Sequence, residues 1–151
     1  MLEVRAAGEG DEDWLNALLS EPFDEEFAHL PAVQRELLVE MQTTAKHRDY
    51  RRQWPAAETL ILRFGASRVG YLMLSEEPGA LHLVDILIAR GERGAGIGSE
   101  ALRWLQLRAE QAGKPIELSV MGVNPARRLY QRLGFAEGPE SGPYLRMIWS
   151  P

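Results

Sequence analysis

The sequence contains no cysteine among its 151 residues. A disulfide framework, a thiolate metal site and a cysteine nucleophile are therefore excluded together. Histidine is also scarce, and the three that occur, His29, His47 and His82, lie far apart without the spacing of a metal-binding motif. We therefore expect no metal site in this protein.

Long hydrophobic runs are missing as well. No run could span a membrane, and the acidic N-terminus lacks the apolar segment of a signal peptide. We expect a cytoplasmic protein without a membrane partner. The formal net charge of -5 argues against nucleic acid, which usually binds to a basic face. Mild acidity is ordinary in cytosolic proteins, although it also suits a cationic acceptor such as an amine.

The length and the composition fit one globular domain over residues 1–151. Hydrophobic residues make up 45% of the chain and charged residues 26%, as in an ordinary soluble protein. No repeat, linker or low-complexity segment divides the sequence. Both a monomer and a homodimer agree with this composition.

The first half of the chain predicts two helices and a hairpin. Residues 2–6 alternate as a strand, and Asp11 can cap a helix that ends at Glu21-Pro22. A second helix begins at Pro31 and runs to about residue 53. Segments 58–64 and 68–75 are strands joined by Gly65-Ala66-Ser67. The second helix is expected to bury a stripe of apolar residues, namely Val33, Leu37, Leu38, Met41 and Ala45.

The second half predicts a strand–helix–strand–helix unit. Residues 81–89 form an almost unbroken apolar run, and an amphipathic helix follows to about residue 112. A buried strand covers 116–120, and a short helix begins at Asn124-Pro125. Two final strands lie near 135–137 and 144–149. This order predicts an α/β (α+β) fold with a mixed sheet of about six or seven strands and about four helices.

The segment from Arg93 to Gly98, Arg-Gly-Ala-Gly-Ile-Gly, joins the central strand to the helix after it. The first N–H groups of a helix have no partner within it, and the helix dipole adds positive potential there. Glycines allow the backbone to close around an oxyanion, and Arg93 adds a positive charge. The segment therefore predicts a cradle for a pyrophosphate.

Two other phosphate-binding loops do not fit this segment. The dinucleotide fingerprint Gly-x-Gly-x-x-Gly requires a third glycine where Ser99 stands. The nucleoside-triphosphate loop requires Gly-Lys-Ser/Thr at its end, and the segment has no lysine.

The remaining pattern, Arg-x-x-Gly-x-Gly at Arg93, Gly96 and Gly98, resembles the pyrophosphate loop of the GNAT superfamily of acetyl-CoA-dependent N-acetyltransferases. A second stretch, 124–135, resembles another signature of that family, with Asn and Ala, then Leu-Tyr, then Leu-Gly-Phe. Together the two cover about residues 81–135. Arg90 stands where members often carry proline, and Asn124 precedes Tyr130 by six residues where many members have seven.

The resemblance implies a mostly antiparallel GNAT-like sheet and direct transfer of an acetyl group from acetyl-CoA to an amine in a ternary complex. In the family, the end of the central strand pairs with the pantetheine arm and the glycine turn holds the pyrophosphate. The residues that these roles and the second signature assign to the cofactor are Ile86, Leu87, Ile88, Arg93, Gly94, Ala95, Gly96, Ile97, Gly98, Ser99, Asn124 and Arg127.

The resemblance also assigns Tyr130 as the acid that protonates the departing CoA thiolate. A phenol with a pKa of about 10 can do this without being ionised at neutral pH. Because Tyr130 lies on the apolar stripe of its helix, packing in the core is the alternative role.

The general base is expected on the central strand. A carboxylate at Asp85, among apolar neighbours, would be costly to bury unpaired, so it is either the base or a structural hydrogen-bonding partner. His82, Glu117 and water are the other candidates. By strand alternation, His82 and Asp85 face opposite sides of the sheet unless the strand is bulged.

Two other classes of function stay open at this point. The chain could be a CoA-binding regulatory module without turnover, or a structural protein that retains the fold. The presence of both the glycine turn and Tyr130 favours the enzyme. The acceptor is an amine on a small molecule or a protein, and the sequence does not identify it.

Overall fold

The computed structural model describes residues 1–151 as a seven-stranded sheet with four α-helices. The strands are β1 Leu2–Ala6, β2 Glu58–Phe64, β3 Ser67–Glu76, β4 Leu81–Ile88, β5 Ile116–Met121, β6 Ala136–Ser141 and β7 Tyr144–Trp149. The helices are α1 Glu12–Glu26, α2 Ala32–Gln53, α3 Ile97–Ala112 and α4 Ala126–Arg132. The predicted fold class is confirmed.

The strand order is β1-β2-β3-β4-β5-β7-β6. Every neighbouring pair is antiparallel except β4 and β5, which are parallel and are connected through α3. A parallel connection needs a crossover of a dozen or more residues, which α3 provides. The chain therefore places one parallel junction near the middle of an otherwise antiparallel sheet.

The sheet buries both faces over β2 to β4, and successive side chains alternate between them. Leu72 and Leu74 of β3 pack in the main core, which α3 and α4 cover. Tyr71 and Met73 of the same strand pack beneath α1 and α2, with Leu18 among their neighbours. We call these two sides the α3 face and the α1–α2 face.

The prediction of which side of α2 is buried was wrong. Val33, Leu37 and Met41 are 80%, 59% and 56% exposed. The side that turns toward the protein carries Val39, Thr43, Lys46 and Tyr50 at helical spacing. The spacing of the apolar residues did not identify the buried side of α2, because the side that faces the protein is largely polar.

The predicted end of α1 at Glu21-Pro22 was also wrong, since α1 continues through Pro22 to Glu26. Proline removes one backbone donor and tends to kink a helix. Beyond the proline, the last turn contacts the segment after β4, where Glu25 pairs with the guanidinium of Arg90 at 3.0 Å. None of the helices combines the length and the apolar character that crossing a membrane requires.

Asp11 stands at the N-cap position of α1, as predicted, but its side chain makes no capping hydrogen bond. Its two carboxylate oxygens instead accept from the Arg5 guanidinium at 2.6 and 2.8 Å, and one also accepts from the Gly8 N–H at 2.8 Å. These hydrogen bonds hold the pKa of the buried Asp11 well below its usual range. Asp11 therefore fixes β1 to the start of α1.

We expect Asp11→Asn to lower the free energy of unfolding at pH 7 by about 1–3 kcal/mol, because the Arg5 guanidinium loses its charged partner. The exposed Asp13, which has no ion pair, provides the control Asp13→Asn. Since the folded-state pKa of Asp11 is depressed, its contribution is complete above the unfolded pKa of about 4 and is lost as the pH falls further. Denaturation at several pH values measures this, and equal stability of the two variants at pH 7 would contradict it.

Candidate active site

The parallel strands β4 and β5 separate to form a cleft. They pair only from Leu81–Ile116 to Leu83–Leu118 and then diverge. Beyond Leu83, the edge of β4 that faces β5 has no partner strand. The cleft between them has a volume of about 640 Å³. The cleft is lined by both strands, by α4 and the residues just before it, and by four further side chains. These are residues 83–88 of β4, 118–121 of β5 and 124–126, 129 and 130 around α4, with Lys46, Tyr50, Arg93 and Tyr144.

A β-bulge in β4 sets which side chains enter this cleft. Leu74 of β3 lies opposite Leu83, whereas Met73 lies opposite Asp85, so Val84 is the extra residue. One extra residue reverses the alternation beyond it. His82 and Asp85 therefore face the same side of the sheet, the α1–α2 face, which is the bulged case that the sequence left open.

Asp85 lies inside the cleft with a defined pair of donors. The Tyr71 hydroxyl donates to Oδ2 at 2.5 Å, and the Ile86 N–H donates to Oδ1 at 3.0 Å. Burial and the charge of Asp85 raise the pKa of Tyr71, so this phenol keeps its proton. An ionised carboxylate has about four acceptor positions, so Asp85 retains free ones toward the cleft.

The other two candidate bases lie outside the cleft, where β4 and β5 are still paired and His82 stands opposite Glu117. The His82 ring stacks on Trp54 with centroids 3.9 Å apart, and burial lowers its pKa. Glu117 accepts a hydrogen bond from Arg146 at 2.6 Å. Among the three side chains, only Asp85 lines the cleft.

Tyr130 enters the cleft from α4. Its buried ring packs against Phe135 with centroids 5.6 Å apart. Burial, with a smaller contribution from the charge of Asp85, raises the pKa of Tyr130 to about 12. The phenol therefore stays protonated at neutral pH.

Upstream, Asn124 Oδ1 accepts from the Ala126 N–H at 2.9 Å and so stabilises the start of α4.

The glycine turn forms a second concavity beside the cleft. Gly94 and Gly96 have positive φ angles of 84° and 80°, which a residue with a Cβ rarely adopts. The backbone N–H groups of residues 94–99 donate no hydrogen bond within the chain. They precede or begin α3, where the helix dipole favours an anion. The lining of this concavity consists of Ile88, Glu92, Arg93, Gly94, Gly96, Ile97, Gly98, Ser99, Leu129 and Arg132.

Arg93 lines both the cleft and this concavity. Its Nε donates to the Ile88 carbonyl at 3.3 Å, and its guanidinium pairs with Glu25 of α1 at 3.2 Å. The same Glu25 carboxylate pairs with Arg90. The end of α1 is thereby joined to the glycine turn.

Two predicted cofactor residues lie apart from these concavities. Arg127 pairs with Glu137 at 2.6 Å, donates to the Gly122 carbonyl at 3.2 Å and lines neither concavity. Ala95 is exposed and lines neither concavity. The remaining predicted residues lie along one continuous path from Asp85 to Ser99.

Lys46, Tyr144 and Arg132 line the two concavities but were not predicted from the sequence. Lys46 and Tyr50 lie on the inward side of α2, and the apolar residues of that helix pointed to the other side. Arg132 follows Leu129 by three residues, so the helical period of α4 could have placed it beside the turn. Tyr144 reaches the cleft through the pairing of β7 with β5, which sequence order alone does not reveal.

No group of three or more His, Asp or Glu side chains in residues 1–151 is arranged to hold a metal ion.

No curated protein sequence matches the chain. Solved structures with this fold include PaiA N-acetyltransferase from Thermoplasma acidophilum in complex with coenzyme A, at a TM-score of 0.76 and 16% identity over 100% of this chain and 99% of that one.

Two further structures share the fold. An acetyltransferase from Thermus thermophilus has a TM-score of 0.68 and 24% identity, with 100% of this chain and 97% of that one covered. A ribosomal-protein-alanine N-acetyltransferase from Brucella melitensis has a TM-score of 0.65 and 20% identity over 99% of both chains. The model of the acetyltransferase (GNAT) family matches residues 17–135. With the separated β4 and β5 strands and the glycine turn, this match confirms the predicted resemblance: the chain belongs to the acetyltransferase (GNAT) family.

Proposed function

We propose that the protein is an N-acetyltransferase that moves an acetyl group from acetyl-CoA directly to an amine bound in the cleft between β4 and β5. The observation that carries this proposal is the placement of Tyr130 and Asp85 in one cleft that continues into the glycine turn. A proton donor, a proton acceptor and an anion site therefore lie along one path.

The cofactor would bind along the diverging strands. The free N–H groups of residues 94–99 would donate hydrogen bonds to the pyrophosphate, with Arg93 and Arg132 adding positive charge. The edge of β4 at residues 86–88 has no partner strand on the side of the cleft, so it would receive the amides of the pantetheine arm as another strand would. The Ile86 N–H, which donates to Asp85, is not available for this pairing. Asn124 would shape the same cleft at the start of α4. We leave Ala95 and Arg127 out of the proposed contacts.

The chemical step needs one proton removed and one supplied. The amine nitrogen attacks the thioester carbonyl carbon, a carbon–nitrogen bond forms, and the carbon–sulfur bond breaks. The amine proton would pass to Asp85, directly or through a water molecule. The CoA thiolate would take a proton from the Tyr130 hydroxyl, which regains one from solvent. The raised pKa of Tyr130 keeps that hydroxyl protonated until the thiolate forms.

The open cleft favours an enzyme over a structural protein that keeps the fold with its cleft closed. A CoA-binding module without turnover would bind acetyl-CoA and release no thiol with any amine. Thiol release from acetyl-CoA across a panel of amines separates these functions, and native mass spectrometry detects co-purified CoA. Absence of both turnover and CoA binding would refute the proposal.

The pyrophosphate assignment is tested at Ser99, in the first turn of α3. We expect Ser99→Glu to weaken acetyl-CoA binding by at least about tenfold, because a carboxylate would repel the phosphates where the free N–H groups point. Glutamate in a first helical turn is otherwise favourable, so the fold should persist. Ser99→Gln is the uncharged control of equal size. Substitution of Gly96 would add backbone strain, so it tests the site less cleanly.

Calorimetric titration with acetyl-CoA measures both Ser99 variants, and circular dichroism checks that each is folded. Equal affinity of the Glu and Gln variants would place the pyrophosphate elsewhere.

Tyr130→Phe separates catalysis from packing. The ring and its contact with Phe135 remain, so stability should change little, while kcat should fall by roughly 10²–10⁴-fold because the hydroxyl proton is lost. Affinity for acetyl-CoA should stay within a few-fold. In the wild type, ionisation of Tyr130 should not reduce activity below about pH 10, given its pKa of about 12. Full activity of the folded variant would leave Tyr130 with a packing role only.

Asp85→Asn tests the base. We expect kcat/KM for the amine to fall by roughly 10²–10⁴-fold and the acidic limb of its pH profile to disappear, because an amide cannot accept the proton. Glu117→Gln, outside the cleft, is the control and should keep both the kcat/KM for the amine and the acidic limb of its pH profile. An unchanged profile in Asp85→Asn would return Asp85 to the role of a hydrogen-bonding partner for Tyr71.

A further inference from the structure

The acceptor side of the cleft contains a lysine whose role the acetyl transfer does not explain. We propose that the acceptor is an amine carrying an anionic group, of the amino-acid type, and that Lys46 binds this group. The inference rests on the proposed function and specifies its substrate class. It is carried by the charges that line the cleft and by the partners that each of them has.

Lys46 lies on the inward side of α2 and lines the cleft beside Tyr50. Its Nζ is 5.6 Å from the centroid of the Phe23 ring and 5.7 Å from that of the Tyr50 ring. Two aromatic rings at these distances hold an ammonium group in place and displace part of its water. The only other lysine, Lys114, lies elsewhere and pairs with Glu76 at 3.3 Å, whereas Lys46 has no carboxylate partner.

Three charged side chains line the cleft, Lys46, Asp85 and Arg93. Arg93 pairs with Glu25, and Asp85 accepts hydrogen bonds from Tyr71 and from the Ile86 N–H. Lys46 is therefore the one charged side chain of the cleft that makes no hydrogen bond or ion pair within the chain. A partly desolvated cation without a partner is a favourable place for a ligand anion.

The positions of Lys46 and Asp85 fit a zwitterionic ligand. Both residues line the same cleft, Asp85 from β4 and Lys46 from α2, where the Lys46 ammonium lies 5.7 Å from the centroid of the Tyr50 ring. Asp85 can receive the amine end of the acceptor while Lys46 receives its anion. An acceptor with only positive charges, such as a polyamine, would instead meet repulsion from Lys46. The cleft is thus locally complementary to a zwitterion although the whole chain carries a net charge of -5.

A carboxylate and a phosphate would both satisfy the ammonium group of Lys46. The test therefore compares matched acceptors in the thiol-release assay. Glycine, β-alanine, γ-aminobutyrate and ε-aminocaproate are compared with alkylamines of the same chain length, and phosphoethanolamine is compared with ethanolamine. We expect kcat/KM to be about 10- to 100-fold higher for the anionic member of at least one pair, the size of a charge-assisted hydrogen bond. The pair with the largest ratio distinguishes carboxylate from phosphate.

Three variants attribute this preference to Lys46. Lys46→Met keeps an unbranched stem against the two rings and removes the charge, so it should abolish the preference by raising KM for the anionic acceptor alone. Lys46→Arg keeps the charge and should retain most of the preference. Lys114→Met is the matched control outside the cleft and should behave as the wild type. Thermal unfolding and acetyl-CoA affinity establish that each variant is folded and binds its cofactor.

The outcomes separate the two proposals. If the amine without the anionic group has an equal or higher kcat/KM in every pair, the role of Lys46 is overturned and the acetyltransferase stands. The same holds if Lys46→Met changes both members of a pair alike. Absence of thiol release with amines of either kind would overturn the proposed function, and the inference would fall with it.

Discussion

The short pairing between β4 and β5 is the constraint on which the rest of the molecule depends. Two parallel strands stay joined from Leu81 to Leu83 and then separate, which leaves backbone edges and side chains facing an open space inside the sheet. The helices cannot fill that space, because α3 and α4 cover one face and α1 and α2 the other. A cleft through the middle of the fold follows from this geometry, and each candidate group reaches it from a different element.

The bulge at Val84 acts within the same junction. A regular strand would place His82 and Asp85 on opposite faces, and the extra residue brings Asp85 to the α1–α2 face, opposite Met73. There it meets the hydroxyl of Tyr71, which is buried and keeps its proton. Tyr130 approaches from α4, so the proposed proton donor and the proposed proton acceptor stand on separate elements. Burial keeps the Tyr130 phenol protonated at neutral pH, so it can donate a proton while the carboxylate accepts hydrogen bonds.

The sequence could predict what depends on local pattern. The apolar run of β4, the glycine turn and the Asn124–Phe135 signature each carry their information within a few residues, and their order was enough to predict the fold class. The errors concern long-range contacts. Val33, Leu37 and Met41 have the spacing of a buried stripe, yet α2 turns Val39, Thr43 and Lys46 inward. Pro22 has the character of a helix stop, yet α1 continues to Glu26 and its Glu25 pairs with Arg90 after β4. The position of the bulge, which depends on how β3 and β4 pair, was likewise beyond local pattern.

The close approach of α3 and α4 has a mechanical consequence. A Cβ at Gly98 would lie 3.4 Å from the side chain of Leu129, the residue before Tyr130. The pairing of β4 with β5 ends at Leu83. Beyond this residue no hydrogen bonds between the two strands fix the width of the cleft. Packing of α3 and α4 in the main core links the glycine turn to the helix that carries Tyr130. The separation of the glycine turn from Tyr130 thus depends on the packing of helices rather than on the hydrogen bonds of the sheet.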